Sequence, residues 1–520
     1  MSYRNKKYTL LLAAALCTLL LCGCVKKVDI PSVGKLRQDT EAISAMLTAE
    51  DLPLLEQFPQ LHSLNLVGST CYEEIIAWAA AHPQVDVHYA VLLPSGVGVD
   101  NDASSLDLAQ ELDGDDPAGQ YSQTLPLLQY LPELKQVTLG NDCPLDQALD
   151  YVSQYPEIEF RYSFSLLGQA VSTETTALDV SRAGHRDTAE ILRCLPLMKN
   201  LRSVKLGSDE KSGAFEWDDI YAIHELCPKA ALDYDFTLYG KSFSLLDTTM
   251  DLNHIPIGDE GELVLKVASC MSGLTLLDMD FCGVSDESMA AIRDALPNVD
   301  VVWRIWFGTG YSVRTDVEMI LASNPGRGGE LDYENTRSLQ YCTKVKYLDL
   351  GHNSFLTSLD FVSYMPDLEV AILAMGSWWD ARPLADCKKL EYLELQTSAL
   401  NDLHALSKLE NLRHLNICYC FALHDISPLY DLDLERLWIG RYTPIPSEQV
   451  EEIQRLHPDL EINTSTTNPT EGGWRYYSER TPWGTLEQVP RYKLLHEQFG
   501  YNETDYAYIA NDPLYGPNRK

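Results

Sequence analysis

The chain carries 520 residues, with 40 lysines and arginines against 76 aspartates and glutamates, for a formal net charge of −36 at pH 7. A surface this acidic repels phosphate backbones and anionic membranes, and no basic cluster interrupts it, so a nucleic-acid role is set aside. At 45% hydrophobic residues the chain holds enough apolar material for large cores, which sets disorder aside as well.

Arg4, Lys6 and Lys7 open the chain, and Tyr8 to Leu21 follows as an almost charge-free apolar stretch. A membrane-spanning helix needs roughly 20 apolar residues, so this shorter run reads as an export signal. It closes on Leu21-Cys22-Gly23-Cys24, which resembles the lipobox of bacterial lipoprotein signal peptides. Cys22 is a poor rival for the modified cysteine, because bulky Leu20 and Leu21 precede it, whereas Gly23 is the small residue needed before the cut. The resemblance implies that residues 1–23 are removed and that Cys24 is acylated as the mature N-terminus. The protein would then be held at the bacterial cell membrane on its extracytoplasmic side. Residues 24–45 are polar enough to serve as a tether and then a capping helix.

Residues 46–335 repeat with a long period. Strand motifs begin at Leu61, Leu134, Leu201 and Leu274, and each is followed by an amphipathic helix ending near Pro83, Pro156, Pro228 or Pro297. After each proline comes an alternating run, such as "VDVHYAV" or "IEFRYSFSL", predicted as a strand. A further strand follows in several units, as in "TTALDVS" and "TTMDLN". "DNDASSLDLAQE", at 100–111, places Asp100, Asp102, Ser104 and Glu111 as in a calcium-binding EF loop. Ser105 stands where that loop needs glycine and the flanks are strand-like, so at most an adventitious cation is expected there.

Residues 336–463 repeat more tightly. "KVKYLDLGHN", "DLEVAILAMG", "KLEYLELQTS", "NLRHLNICYC" and "DLERLWIGRY" start their apolar pattern at Val345, Leu368, Leu390, Leu412 and Leu434, spaced 23, 22, 22 and 22 residues apart. The pattern L-x-x-L-x-L resembles the leucine-rich repeat family, particularly its short bacterial forms. The resemblance implies an α/β fold, a right-handed solenoid with parallel strands on a concave face and helices or turns on the convex one. "SEQVEEIQRLHPDLEIN" repeats the helix-proline-strand element at 447–463, which argues for one continuous repeat array. Residues 464–520 are dense in Tyr, Trp and Pro and are predicted to fold back as an end cap, with a separate ligand-binding appendage as the alternative.

Of thirteen cysteines, Cys17 and Cys22 leave with the leader and Cys24 carries lipid. Among the remaining ten, Cys270, Cys342 and Cys387 precede strand motifs in a slot that Leu409 fills in another repeat, so they read as buried free thiols. No G-x-S-x-G, H-E-x-x-H, phosphate-cradling glycine loop or C-x-x-C is present, "CYC" at 418–420 lacks the ligand count of a zinc site, and no enzyme or cofactor is expected. The carboxylate pairs Asp278/Asp280, Asp233/Asp235 and Asp431/Asp433 read as solvated faces of strands.

If leucines point inward, three variable columns face the concave surface. They are Tyr347, Val370, Tyr392, His414 and Arg436; Asp349, Ile372, Glu394, Asn416 and Trp438; and His352, Met375, Thr397, Tyr419 and Arg441. Aromatic residues and arginine dominate binding hot spots. The predicted ligand-binding set is therefore Tyr347, Tyr392, His414, Tyr419, Arg436, Trp438 and Arg441, with Trp378 and Trp379 on a neighbouring loop. The expected function is non-enzymatic: a monomeric surface lipoprotein binding a protein or peptide on its concave face. Carbohydrate or cell-wall binding is the alternative that the same aromatic platforms would serve.

Overall fold

The computed structural model describes residues 26–112, 116–323, 331–480 and 485–500 and the strand Ala507–Tyr508. The leader and Cys24 lie outside the described residues. The chain divides into two compact units, Met1–Phe236 and Thr237–Lys520. Both are α/β and built on short parallel strands, and no helix among the described residues is long and apolar enough to cross a membrane.

Each long-period module contributes three parallel strands. Ala42–Ser44, Ser63–Asn65 and Asp86–His88 pair with Ile43, Leu64 and Val87 in line. The arrangement recurs around Leu106, Val137 and Phe160, then around Leu178, Val204 and Leu232. In the second unit it recurs around Met250, Leu277 and Val301. Parallel pairing needs a crossover, supplied between the second and third strands by Tyr72–Ala81, Leu145–Gln154, Trp217–Leu226 and Asp286–Ala295. Every one of these helices stops two residues before its proline, as does Ser447–Leu456 before Pro458. Proline has no N–H to give, and it biases the residue before it away from helical geometry.

Two expectations are corrected here. The alternating runs after most of these prolines are not single strands. Their first halves join the parallel trio, while Ala90–Leu92, Ser163–Leu166 and Arg304–Phe307 turn away as antiparallel hairpins with the strands that follow. The N-terminal tether does not end in a capping helix either: Lys27–Ile30 and Gly34–Arg37 form a hairpin with Val28 and Ile30 buried. The two-residue period of Val28 and Ile30 is a strand signal that the polarity of their neighbours obscured.

In the second unit, strands Met319–Ala322, Tyr347–Asp349, Val370–Ile372, Tyr392–Glu394, His414–Asn416, Arg436–Trp438 and Glu461–Asn463 pair in parallel in one sheet. Leu348, Ala371, Leu393, Leu415 and Leu437 align across it, all fully buried. Val345, Leu368, Leu390, Leu412 and Leu434 form a second buried row, and Leu350, Leu373, Leu395, Ile417 and Ile439 a third. Constant spacing therefore delivers each apolar residue onto its counterpart in the next strand, and the core is a set of ladders. Opposite the strands lie 3-10 turns at Arg337–Tyr341, Asp360–Tyr364, Arg382–Asp386, His404–Lys408 and Ser427–Leu429. Cys342, Cys387 and Leu409 share the buried slot beneath them, as the repeat pattern predicts.

Four of these strands leave the sheet through a left-handed residue at the same repeat position, His352, Met375, Thr397 and Tyr419 with φ near +60°. In the next repeat Gly440, one residue earlier than the column position held by Arg441, takes the positive φ. A side chain in that conformation costs roughly 1–2 kcal/mol. The cost is offset by a regular hydrogen bond to the next repeat, from the His352 amide to Ala374, Met375 to Gln396 and Thr397 to Cys418, at 2.8–2.9 Å. At Gly440 a Cβ would lie 2.8 Å from Cys418 Sγ, so only glycine fits.

One carboxylate pair departs from the solvated reading. Asp280 is buried and takes two 2.9 Å hydrogen bonds from Arg304, while Asp278 pairs with Arg314 at 2.9 Å. These aspartates neutralise arginines of the adjoining hairpin.

Candidate functional site

The sheet face opposite the leucine ladders was expected to be open. The chain's own C-terminal segment lies on it. Residues 465–476 run back from the last strand, and the helix Pro490–Phe499 packs beside them. Met319, Val370, Ile372, Tyr392, Cys418, Trp438, Trp474, Leu495 and Phe499 form one buried apolar cluster, flanked by Tyr347 and Tyr419. Tyr392 stacks on Trp474 with ring centres 5.2 Å apart, and Trp438 meets the same indole at 5.5 Å. The strand Ala507–Tyr508 pairs antiparallel with the outer strand Met319–Ala322.

The predicted ligand-binding residues therefore separate into three groups. Trp438 (1% exposed), Tyr392 and His414 are buried beneath the segment, and the expectation that the Trp438 ring faces solvent is corrected. Trp378 is also buried, filling space behind its loop with its indole N–H on the Leu373 carbonyl at 3.1 Å. Tyr347, Tyr419 and Arg436 are partly covered, whereas Trp379 and Arg441 are exposed. His414 does not act as a cation. Burial, followed by Arg491, Arg436 and Arg413 nearby, pushes its pKa down to about 4. Its 3.6 Å approach to Glu435 is thus made by a neutral ring at pH 7.

At the centre stands Glu394, with no solvent exposure. Its Oε1 accepts from Trp474 Nε1 at 2.8 Å, from Arg475 Nε at 2.9 Å and from the Tyr392 hydroxyl. Its Oε2 accepts from Gln396 at 2.7 Å and from the second arm of Arg475. Burial would raise this carboxyl, but the Arg475 guanidinium and the surrounding donors hold it below its ordinary value, while Arg475 itself is held well above its own. A charge this deep is tolerated only when paired and fully hydrogen-bonded, and here both conditions are met.

Around that centre, side chains from successive strands receive the main chain of the returning segment. Tyr419 donates to the Thr467 carbonyl, Asn416 to Pro469 at 2.8 Å, Trp438 to Glu471 at 3.3 Å, Asn463 to Gly472 at 3.3 Å, and Arg436 to Gly473. The Arg441 amide adds a bond to the Thr466 carbonyl at 2.9 Å. Arg436 also pairs with Glu461 at 2.9 Å and lies 4.6 Å above the Trp438 ring. A Cβ on Gly472 would lie 2.9 Å from Asn463 Nδ2, so the glycine lets the two chains approach.

What stays exposed is the row of loops just past the left-handed column. Phe355 (58%), Trp379 (55%) and Phe421 (62%) project into solvent, accompanied by Met375 and Tyr442. Tyr419 joins two of them, with ring centres 5.9 Å from Phe421 and 5.0 Å from Tyr442. Of this set, the sequence columns held Met375 and Tyr419, and Trp379 was named on the neighbouring loop, but Phe355, Phe421 and Tyr442 were missed. Each lies within three residues of the turn column, but spacing alone does not mark it as exposed, because Trp378 and Leu400, at the same offset as Phe355, are buried.

No protein-family model matches the chain, and no curated protein matches it. Among solved structures, an internalin from Listeria monocytogenes is 14% identical over 83% of this chain and 84% of its own, with a TM-score of 0.25. A leucine-rich-repeat protein from Leptospira interrogans is also 14% identical, over 82% of this chain and 93% of its own, with a TM-score of 0.21. Internalin C2 from Listeria monocytogenes is 16% identical over 49% of this chain and 87% of its own, with a TM-score of 0.17. Superpositions of that extent carry no argument about this chain, whose architecture rests on its own strand register and repeat spacing.

Proposed function

We propose that this is an exported, lipid-anchored protein of leucine-rich-repeat architecture that works by binding a protein or peptide partner, without catalysis. The repeat reading is supported by the aligned ladders at 22-residue spacing and by the turns opposite them. The observation that carries a binding role is the exposed aromatic row Phe355, Trp379, Phe421 and Tyr442 on loops braced by regular hydrogen bonds. Large rings held rigidly in solvent are the groups that dominate interface energies, because little side-chain freedom is lost when they are covered. The accessible surface is therefore this loop row, extended by Arg441 and Tyr419, and not the strand face first expected.

A photo-reactive phenylalanine analogue at position 421, on intact cells, is expected to trap a discrete protein adduct. The same analogue at Tyr364, exposed on the turn side, is not. Trp379→Ala should reduce the adduct by about tenfold or more while leaving thermal unfolding unchanged, since the ring is solvent-facing. No adduct from position 421, together with glycan-array binding that Trp379→Ala abolishes, would replace the protein partner by a carbohydrate.

The anchor is tested separately. Cys24→Ser should release the protein from membranes or leave the precursor uncleaved, because acyl chains contribute about 0.8 kcal/mol per buried CH₂ and two are needed for stable attachment. A Cys24→Ser protein that is still processed and lipid-labelled would remove Cys24 as the lipid site.

A further inference from the structure

We infer that the strand face from Tyr392 to Asn463 is a second, peptide-recognising site, and that the chain's own residues 466–475 occupy it as a competitor in cis. The matching partner is a turn-forming peptide with a Gly-Gly step, both glycines at positive φ, followed by an aromatic–arginine pair.

Three observations carry this. First, the contacts to residues 466–473 are main-chain contacts: Asn416, Tyr419, Arg436, Trp438, Asn463 and the Arg441 amide each satisfy a backbone carbonyl. The segment is itself folded into turns, with Glu471, Trp474 and Arg475 amides bonded to Asn468, Glu471 and Thr470 carbonyls, and the donors grip the carbonyls that these turns leave facing the sheet. Second, selectivity is concentrated at one end, where the Trp474 ring enters between Tyr392 and Trp438 and Arg475 closes bidentately on buried Glu394. A planar guanidinium on a carboxylate is the geometry that lysine cannot reproduce. Third, the apolar cluster under the segment is distinct from the leucine ladders, so removing the segment uncovers an aromatic face without opening the repeat core. Tyr419 and Arg441 border both this face and the loop row, but the inference rests on Glu394, Trp438 and Trp474 and is tested apart from the loop-row reading.

The test uses the full mature chain and a fluorescein-labelled peptide copying Thr466–Tyr477. Wild-type protein should scarcely bind it, because the cis segment holds the face. Trp474→Ala combined with Arg475→Ala in the chain should raise peptide affinity by about thirtyfold or more, the scale of two hot-spot contacts. Adding Glu394→Gln, or using a peptide with alanine in place of its Trp and Arg, should cancel the gain. A double variant whose repeats unfold at the wild-type temperature but which ignores the peptide overturns the inference. Hydrogen exchange on wild-type protein decides the matter independently of the variant's folding. Amides from Trp474 to Ser478 and from Arg491 to Phe499 should exchange as a separate, faster class than those of Leu393, Leu415 and Leu437. A single shared class means the segment is a fixed part of the fold, and overturns the inference.

Discussion

The Glu394→Gln substitution is expected to raise the open population of the C-terminal segment on the order of a hundredfold, a loss of about 3 kcal/mol in docking. The amide keeps the volume of the carboxylate but turns one acceptor into a donor, in a place where Arg475, Gln396, Trp474 and Tyr392 all donate. It also leaves the Arg475 guanidinium, 16% exposed, without its counter-charge. Breaking a buried pair from one side commonly costs about 3–5 kcal/mol, and the remaining exposure of Arg475 sets the lower end. Hydrogen-exchange protection of Trp474 to Ser478 and of Arg491 to Phe499, compared at pH 7, measures it. Equal protection in the two proteins would mean that Glu394 does not hold the segment.

The same carboxylate sets a pH dependence. Burial acts to raise its pKa, but Arg475 and the hydrogen bonds from Tyr392 and Gln396 bring the folded value below the ordinary 4.5. A group with a lowered folded pKa contributes stability that is fully present above its unfolded pKa and is lost as pH falls through the folded one. Segment protection in the wild type should therefore hold from neutral pH down to about 4.5 and decline below it. The Glu394→Gln protein, starting lower, should show a flatter profile over the same interval.

The repeats were legible in the sequence and the covering of their face was not, for a physical reason. Periodicity reports what recurs: Leu393, Leu415 and Leu437 are buried by identical neighbours one repeat away, so spacing alone predicts both strand and orientation. The alternation that turned Leu437 inward also placed Trp438 correctly on the opposite face. It could not say whether that face met water. The answer lies 80 residues away, in a single Trp-Arg pair whose partner is one of two acidic residues in an otherwise mixed column. Such a contact has no period. Its trace in sequence was the aromatic density after residue 464, which led to an end cap rather than to a strand-face occupant. The hairpins after the long-period prolines were obscured in the same way, because alternation marks strands but does not say which neighbour they pair with.

Leu437→Ala and Trp438→Ala are expected to act on different parts of the molecule, although the two residues are adjacent. Leu437 is fully buried in the ladder between Leu415 and Ile462. Its truncation should cost about 2–5 kcal/mol of repeat stability by opening a cavity that packed neighbours cannot refill. Thermal unfolding and the slowest-exchanging strand amides should both shift. Trp438 is buried by the returning segment, between Trp474 and the Arg436 guanidinium, with its indole N–H on the Glu471 carbonyl. Truncating a buried tryptophan typically costs about 3–5 kcal/mol, but here the cavity opens under the segment, so the loss should appear as undocking of residues 466–499. Protection of Leu393 and Leu415 should stay near the wild-type level. If Trp438→Ala lowers that protection as much as Leu437→Ala does, segment and repeats unfold as one cooperative unit. If Leu437→Ala undocks the segment but spares the ladders, the strand is turned over by one residue and the two faces must be exchanged.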